Sequence, residues 1–165
     1  MRTAVVYYSL SGNTEDTARK IAEETSADLI PLEAEKAYPD SGFRKFFWGG
    51  KSAVMGEMPG LKPYDFDASK YDLIILGTPV WAGTFNPCIR TFAHENKDAL
   101  RGKEFAVFCC HSGGGGEKTF RKLRDYLGIE KWTAEMSLID PKEKPNEEND
   151  RQIRQFCLKI QEEKK

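Results

Sequence analysis

The sequence is poor in residues that build covalent or metal cross-links. It has four cysteines in 165 residues, and none of them forms a Cys-x-x-Cys pair. Its two histidines, His94 and His111, show no metal-ligand spacing. Cys109 and Cys110 lie in an apolar run, where two small buried side chains are the simplest interpretation, and no arginine follows at the spacing of a phosphatase nucleophile. We therefore predict neither a metal site nor a cysteine nucleophile.

Excess charge of one sign and long apolar runs are also missing. Lysine plus arginine number 25 against 26 acidic residues, a net charge of −1, which excludes the basic excess typical of nucleic-acid-binding proteins. The longest unbroken apolar stretch, residues 105–110, is far shorter than the ~20 residues of a membrane-spanning helix. The first residues lack the apolar region and cleavage site of a signal peptide. We expect a cytoplasmic protein that binds no nucleic acid and does not insert into membranes.

The chain does contain an alternation of apolar strands and amphipathic helices. Five strands are predicted, at residues 3–8, 27–32, 71–77, 104–110 and 131–139. The second contains Pro31, which lacks a backbone donor and therefore suits the edge of a sheet. Stretches with apolar residues at helical spacing alternate with these strands, and Asn86 and Asn146 stand at two of the predicted helix starts. This alternation indicates an α/β protein with an open, doubly wound parallel sheet.

The stretch 38–66 is the least regular part of the chain. Phe43, Phe46 and Phe47 have helical spacing, but Gly49–Gly50 and further glycines and prolines are expected to interrupt any long helix. We predict an irregular crossover with one short helix. The length fits a single domain, so we assign residues 1–165 to one.

The loop after the first strand carries the most specific chemical signal. It reads Ser9-Leu10-Ser11-Gly12-Asn13-Thr14 and leads into a helix. Hydroxyl and amide side chains, a glycine and the free N–H groups of a helix N-terminus suit a phosphate monoester held without a cation. Helix capping, the alternative, needs only one such residue. The glycine-rich signatures for triphosphates and dinucleotides are absent, so neither ligand is expected here.

Two further loops follow the third and fourth strands. The first reads Thr78-Pro79-Val80-Trp81-Ala82-Gly83, and Trp81 either stacks on a planar ligand or closes the top of the core. The other follows His111 and reads Ser112-Gly113-Gly114-Gly115. Consecutive glycines carry a large ordering cost, which favours backbone amides that approach a flat polar ligand; a flexible surface loop is the alternative. His111 itself is either a strand-end residue or a catalytic one.

Together these three loops resemble the flavodoxin family. Ser9, Ser11, Gly12, Asn13 and Thr14 match its hydroxyl-rich phosphate signature, and the order of strands and helices agrees over essentially the whole chain. The loop with Trp81 is similar to the family's flavin loop. The resemblance implies a three-layer, flavodoxin-like doubly wound sandwich with a five-stranded parallel sheet in the order 2-1-3-4-5. It also implies noncovalently bound flavin mononucleotide (FMN).

The resemblance implies roles for all three loops. The ribityl phosphate would bind at residues 9–14, and residues 78–83 and 112–115 would surround the isoalloxazine ring. Trp81 would cover one ring face, and the Ala82–Gly83 peptide would lie beside the flavin N5. The third loop lacks the second stacking aromatic of many members; Phe46, Phe47 or Trp48 would substitute, unless they pack in the core. No catalytic residue is implied.

The function implied is transfer of one or two electrons between redox protein partners by a non-enzymatic carrier. Two alternatives stay open at this point. One is a flavodoxin-like NAD(P)H or quinone reductase that uses the same FMN. The other is a flavin-free module that binds another anion at residues 9–14. We expect a monomer, with a dimer as the alternative.

Overall fold

Five parallel strands form the centre of the protein in the computed structural model, which describes residues 1–39 and 42–165, without the side chains of 42–47. The strands are β1 (Thr3–Tyr7), β2 (Asp28–Pro31), β3 (Leu73–Pro79), β4 (Glu104–His111) and β5 (Glu135–Ile139). Their spatial order is β2-β1-β3-β4-β5, as the family resemblance implies. The predicted fold is therefore confirmed, including the edge position of the strand that contains Pro31.

Helices cover both faces of this sheet. They are α1 (Asn13–Thr25), α2 (Gly42–Val54), α3 (Pro87–Glu95), α4 (Gly116–Leu127) and α5 (Glu147–Glu162). Helices α1 and α5 pack on one face, and α3 and α4 pack on the other. Asn86 and Asn146 accept hydrogen bonds from backbone N–H groups in the first turns of α3 and α5, as expected of N-caps.

The alternation of side chains along each strand divides the core into two halves. In β1, Val5 faces the half under α1 and α5, while Ala4 and Val6 face the half under α3 and α4. Strands buried on both faces have continuous apolar sequences, which explains why β1, β3 and β4 were recognisable. Strand β5 is shorter than predicted and begins at Glu135. No helix in the described part of the chain is long and apolar enough to cross a membrane.

Helix α2 corrects one prediction. The glycine pair Gly49–Gly50 does not interrupt the helix, which continues to Val54. A Cβ on Gly49 would lie 3.2 Å from the Trp81 ring, and one on Gly50 would lie 3.6 Å from Ala82. The pair allows the helix to approach the loop that follows β3, and this contact outweighs the low helix propensity of glycine.

Gly77 in β3 lies opposite Phe108 in β4 and leaves room for its buried ring. A Cβ on Gly77 would lie 2.7 Å from Phe108 Cε1 and still closer to Cζ. We predict that Gly77→Ala lowers the free energy of unfolding by about 2 kcal/mol or more, because the packed core cannot accept the methyl group. Urea unfolding measures the effect.

Phe108→Leu in the same background provides the control. If the clash is the cause, the double variant loses less unfolding free energy than the two single variants lose together. A Gly77→Ala protein that unfolds at the wild-type urea concentration contradicts the packing described here.

Candidate functional site

A cavity of about 350 Å³ opens at the carboxyl ends of β1, β3 and β4. Its position is the point where the strand order reverses, and its volume is in the usual range for small-molecule sites. The lining comprises Ser9, Leu10, Ser11, Asn13, Thr14, Gly50, Pro79, Val80, Trp81, Ala82, Cys110, His111, Ser112 and Asp140. A larger cavity of about 440 Å³ lies between the carboxyl-terminal ends of α3 and α4, near the start of β4 and away from the three predicted loops.

The first loop presents free backbone donors. Gly12, with φ of 101°, caps α1 without a side-chain hydrogen bond. Among the described residues, none accepts a hydrogen bond from the N–H groups of residues 10–14, whereas the next one, on Glu15, donates to Ser9 Oγ at 3.1 Å. Backbone donors in folded proteins normally have partners. The head of α1 is therefore arranged for an acceptor-rich anion.

Lys142 lies beside the first loop, where the sequence motif contains only uncharged groups. Its backbone N–H donates to Asn13 Oδ1 at 2.8 Å, which fixes the β5–α5 loop beside the first loop. Its Nζ lies 2.7 Å from the point that a Cβ on Gly12 would occupy. No acidic side chain in the described ranges lies within ion-pair distance of this ammonium group. A cation thus lies at the positive end of α1, where a bound anion would relieve the repulsion.

The loop after β3 contains a strained turn. Trp81 and Thr84 exchange two backbone hydrogen bonds of 2.9 and 3.1 Å, and both residues between them have positive φ, 51° at Ala82 and 72° at Gly83. This conformation costs a residue with a Cβ on the order of 1 kcal/mol. The positive φ of Ala82 is unusual, and strained backbone of this kind is concentrated at functional sites.

Trp81 is held in place on several sides. Its ring makes edge contacts with Tyr8 and Tyr38, with centroids 5.6 and 5.0 Å away, and Gly49 of α2 packs closely against it. The indole also lines the cavity. Trp81 therefore packs on the core cluster and also forms a wall of the cavity.

His111 organises the glycine-rich loop. Its Nδ1 accepts a hydrogen bond from the Gly114 N–H at 2.8 Å, so in the neutral ring Nε2 carries the proton and donates to Ser137 Oγ at 2.9 Å. Burial lowers the pKa of His111, against an opposing effect of Asp140. The imidazole is thus held neutral with both nitrogens bonded within the protein, as expected of a positioning residue.

Asp140 and Cys110 complete the lining. Asp140 accepts a hydrogen bond from Ser112 Oγ at 2.8 Å and pairs with Lys144 at 3.2 Å, so its charge is balanced. Burial raises the pKa of the Cys110 thiol to about 12, which keeps it protonated. Neither group is arranged as a nucleophile or as an acid–base catalyst.

Ten of the sixteen predicted binding residues line the cavity, and six do not. The six are Gly12, Thr78, Gly83, Gly113, Gly114 and Gly115. Thr78 is fully buried and has a structural role, because its Oγ1 accepts a hydrogen bond from the Asn86 N–H at 2.9 Å. The side chains of Phe46 and Phe47 lie outside the described residues. Trp48 lines a different cavity, beside Tyr38.

Four lining residues were not predicted: Gly50, Cys110, His111 and Asp140. Cys110 and His111 end β4, and their position after a buried strand was a usable signal. The glycine pair that contains Gly50 predicts a helix break, and this pattern gives no indication that Gly50 lines a cavity. No sequence motif surrounds Asp140. Only the parallel pairing of β5 with β4 brings it to the carboxyl ends of the strands.

The two glycines of α2 allow a matched test of the Trp81 contact. Alanine at either position gains about 0.5–1 kcal/mol from helix propensity. At Gly50 its methyl group meets Ala82 at an ordinary distance, whereas at Gly49 three Trp81 ring atoms lie within 3.2–3.3 Å. We predict that Gly50→Ala stabilises the protein without cofactor and that Gly49→Ala is less stable than Gly50→Ala. Urea unfolding of the two variants decides, and equal stabilities contradict the contact.

The lowered pKa of His111 predicts a pH effect on stability. Between pH 7.5 and 5.5 the unfolded chain takes up a proton at this residue more readily than the folded one, so stability falls as the pH falls. His111→Asn keeps an acceptor for the Gly114 N–H but does not titrate. We expect the variant to lose less unfolding free energy than the wild type over this range. Equal losses would show that His111 does not contribute.

Comparison with known proteins agrees with this architecture. A flavoprotein from Lactobacillus acidophilus NCFM, crystallised in complex with FMN, is 24% identical with a TM-score of 0.70, over 92% of this chain and 97% of that one. A protein from Bacteroides eggerthii is 21% identical with a TM-score of 0.71, over 94% of each chain. The two-electron reduced flavodoxin of Megasphaera elsdenii is 18% identical with a TM-score of 0.57, over 95% and 96%. These similarities support the fold.

A family model described as flavodoxin matches residues 2–142, which include β1 to β5 and the whole cavity lining. The predicted family is confirmed: this chain belongs to the flavodoxin family.

Proposed function

We propose that this chain binds FMN noncovalently and transfers one or two electrons between redox partner proteins. The observation that carries the proposal is the row of free N–H groups at residues 10–14, with the Lys142 ammonium beside them. A phosphate monoester accepts several hydrogen bonds and carries the charge that this arrangement needs. The FMN complex of the Lactobacillus relative supports the choice of ligand.

The rest of the cavity suits a flat, largely apolar ring. Trp81, Val80 and Leu10 supply apolar walls, and the turn at Ala82–Gly83 presents backbone groups at the rim. Because α2, Tyr8 and Tyr38 already fix the indole, little side-chain freedom is lost when a ring packs against it. When bound, FMN supplies the redox chemistry, and the protein supplies binding, orientation and electrostatics.

The chemistry of the lining favours a carrier over an enzyme. The His111 ring is held neutral between Gly114 and Ser137, the Cys110 thiol is protonated, and Asp140 is paired with Lys144. A carrier needs no group that transfers protons to a substrate. The cysteines are all free and buried, which supports the reducing cytoplasm as the place where the protein acts.

Spectroscopic titration tests the proposal. FMN added to the purified protein should show a shifted visible spectrum and quenched fluorescence, with saturation at one flavin per chain. A protein that leaves the FMN spectrum unchanged contradicts the proposal and favours the flavin-free module. Steady-state oxidation of NAD(P)H by the flavin-loaded protein alone, with a quinone acceptor, would instead favour the reductase.

Comparison of FMN with riboflavin tests the phosphate site. We predict that FMN binds at least about 100-fold more tightly, since its phosphate adds charge-assisted hydrogen bonds. Lys142→Gln should weaken FMN binding about fivefold, equivalent to about 1 kcal/mol, and leave riboflavin binding unchanged. Lys131→Gln, an exposed change shortly before the amino end of β5, is the control. Equal affinities for the two flavins would exclude the phosphate site.

A further inference from the structure

Helix α4 carries a cluster of cations beside the cavity. Lys118, Arg121 and Lys122 occupy positions i, i+3 and i+4 and therefore share one face of the helix. None of them forms an ion pair with the described residues, and the helix's own carboxylates, Glu117 and Asp125, lie beyond ion-pair distance. Burial and the nearby cations lower the pKa of Lys122. The described residues therefore do not neutralise the positive charge of this face.

Arg90 of α3 extends the cluster. Its guanidinium lies 4.5 Å from the ring centroids of both Phe85 and Tyr126, which fixes its position between the two rings. Tyr126 is 38% exposed. Tyrosine and arginine are among the residue types enriched at the energetic centres of protein interfaces. We call Arg90, Lys118, Arg121, Lys122 and Tyr126 the α4 surface.

The α4 surface adjoins the rim of the FMN cavity. The Lys118 side chain lies against Gly83, with its Cδ 3.2 Å and its Nζ 3.4 Å from the point that a Cβ would occupy. Gly83 directly follows Ala82, which lines the cavity, and Gly115 at the start of α4 approaches Gly83. A protein docked on this surface would lie next to the cofactor, where electron transfer requires it.

We propose that the α4 surface docks an acidic redox partner protein beside the FMN. This inference rests on the proposed function for its purpose, but the charge pattern stands by itself. The whole chain has a net charge of −1, so its overall charge would disfavour an acidic partner. Because exposed charges act over about one Debye length, the local cluster decides the encounter at the rim.

Small oxidants of opposite charge test the local field. The flavin-loaded protein is photoreduced and mixed with ferricyanide or hexaammineruthenium(III) in a stopped-flow instrument. Each fully reduced flavin gives two electrons to two oxidant ions, with its proton released to solvent. We expect the ferricyanide rate to fall about tenfold from low to high ionic strength and the ruthenium rate to rise. A ferricyanide rate that rises with ionic strength and a ruthenium rate that falls are what the net negative charge alone would give, and they would overturn the proposal.

Two triple variants locate the effect. Lys118→Gln, Arg121→Gln and Lys122→Gln together should flatten the ferricyanide dependence to less than about twofold. The matched control, Lys70→Gln, Lys131→Gln and Lys159→Gln, removes the same charge from exposed positions near the amino ends of the strands. It should retain the wild-type dependence. Equal behaviour of the two triple variants would overturn the α4 surface.

A cofactor-independent measurement separates this proposal from the proposed function. Fluorescein-labelled polyglutamate is added to the protein without cofactor at low ionic strength, and its anisotropy is followed. We expect binding that the α4 triple variant weakens at least about tenfold and the control triple variant does not. Failure to bind FMN with this pattern intact would refute only the proposed function. Equal polyglutamate affinity for both variants would refute the docking surface.

Discussion

The site depends on the unfulfilled hydrogen-bonding capacity at the head of α1. A helix leaves its first N–H groups without partners, and most proteins satisfy them with a capping side chain. Here Gly12 supplies no such side chain, Ser9 reaches only the Glu15 N–H, and Asn13 accepts from Lys142 instead. The donors therefore stay available. The side chains of this loop hold its shape, and the backbone is left to bind.

The remaining walls show how a flat cavity is kept open. Glycines at 49 and 50 bring α2 close to the β3–α3 loop, and the indole of Trp81 is fixed from behind by tyrosine edges. His111 ties the glycine-rich loop to the end of β4 through the Gly114 N–H. In each case a residue outside the three predicted loops positions a residue within them, as Gly49 does for Trp81 and His111 does for Gly114. Order at the rim thus comes from packing, which limits the entropy lost when a ligand binds.

Much of this could be predicted from the sequence because it is local. Continuous apolar runs predict β1, β3 and β4, and the hydroxyl-rich loop, singled out by its residues, does line the cavity at that strand end. Contacts between distant residues could not be predicted in this way. Asp140 and Lys142 reach this end of the sheet only through the pairing of β5 with β4, so charged groups beside the first loop could not be predicted from local sequence. Helix propensity alone predicts a break at Gly49–Gly50, but the tertiary contact with the loop after β3 outweighs it.

The bond between the Lys142 N–H and Asn13 joins residues 129 positions apart. A contact of such sequence separation forms only when the first and last crossovers of the sheet have both been assembled. A nascent chain that has not yet added β5 consequently lacks the Asp140 wall of the cavity and the bond that fixes Asn13. Because the first loop and Asp140 line one cavity, a ligand bound there would favour the fully assembled chain by mass action.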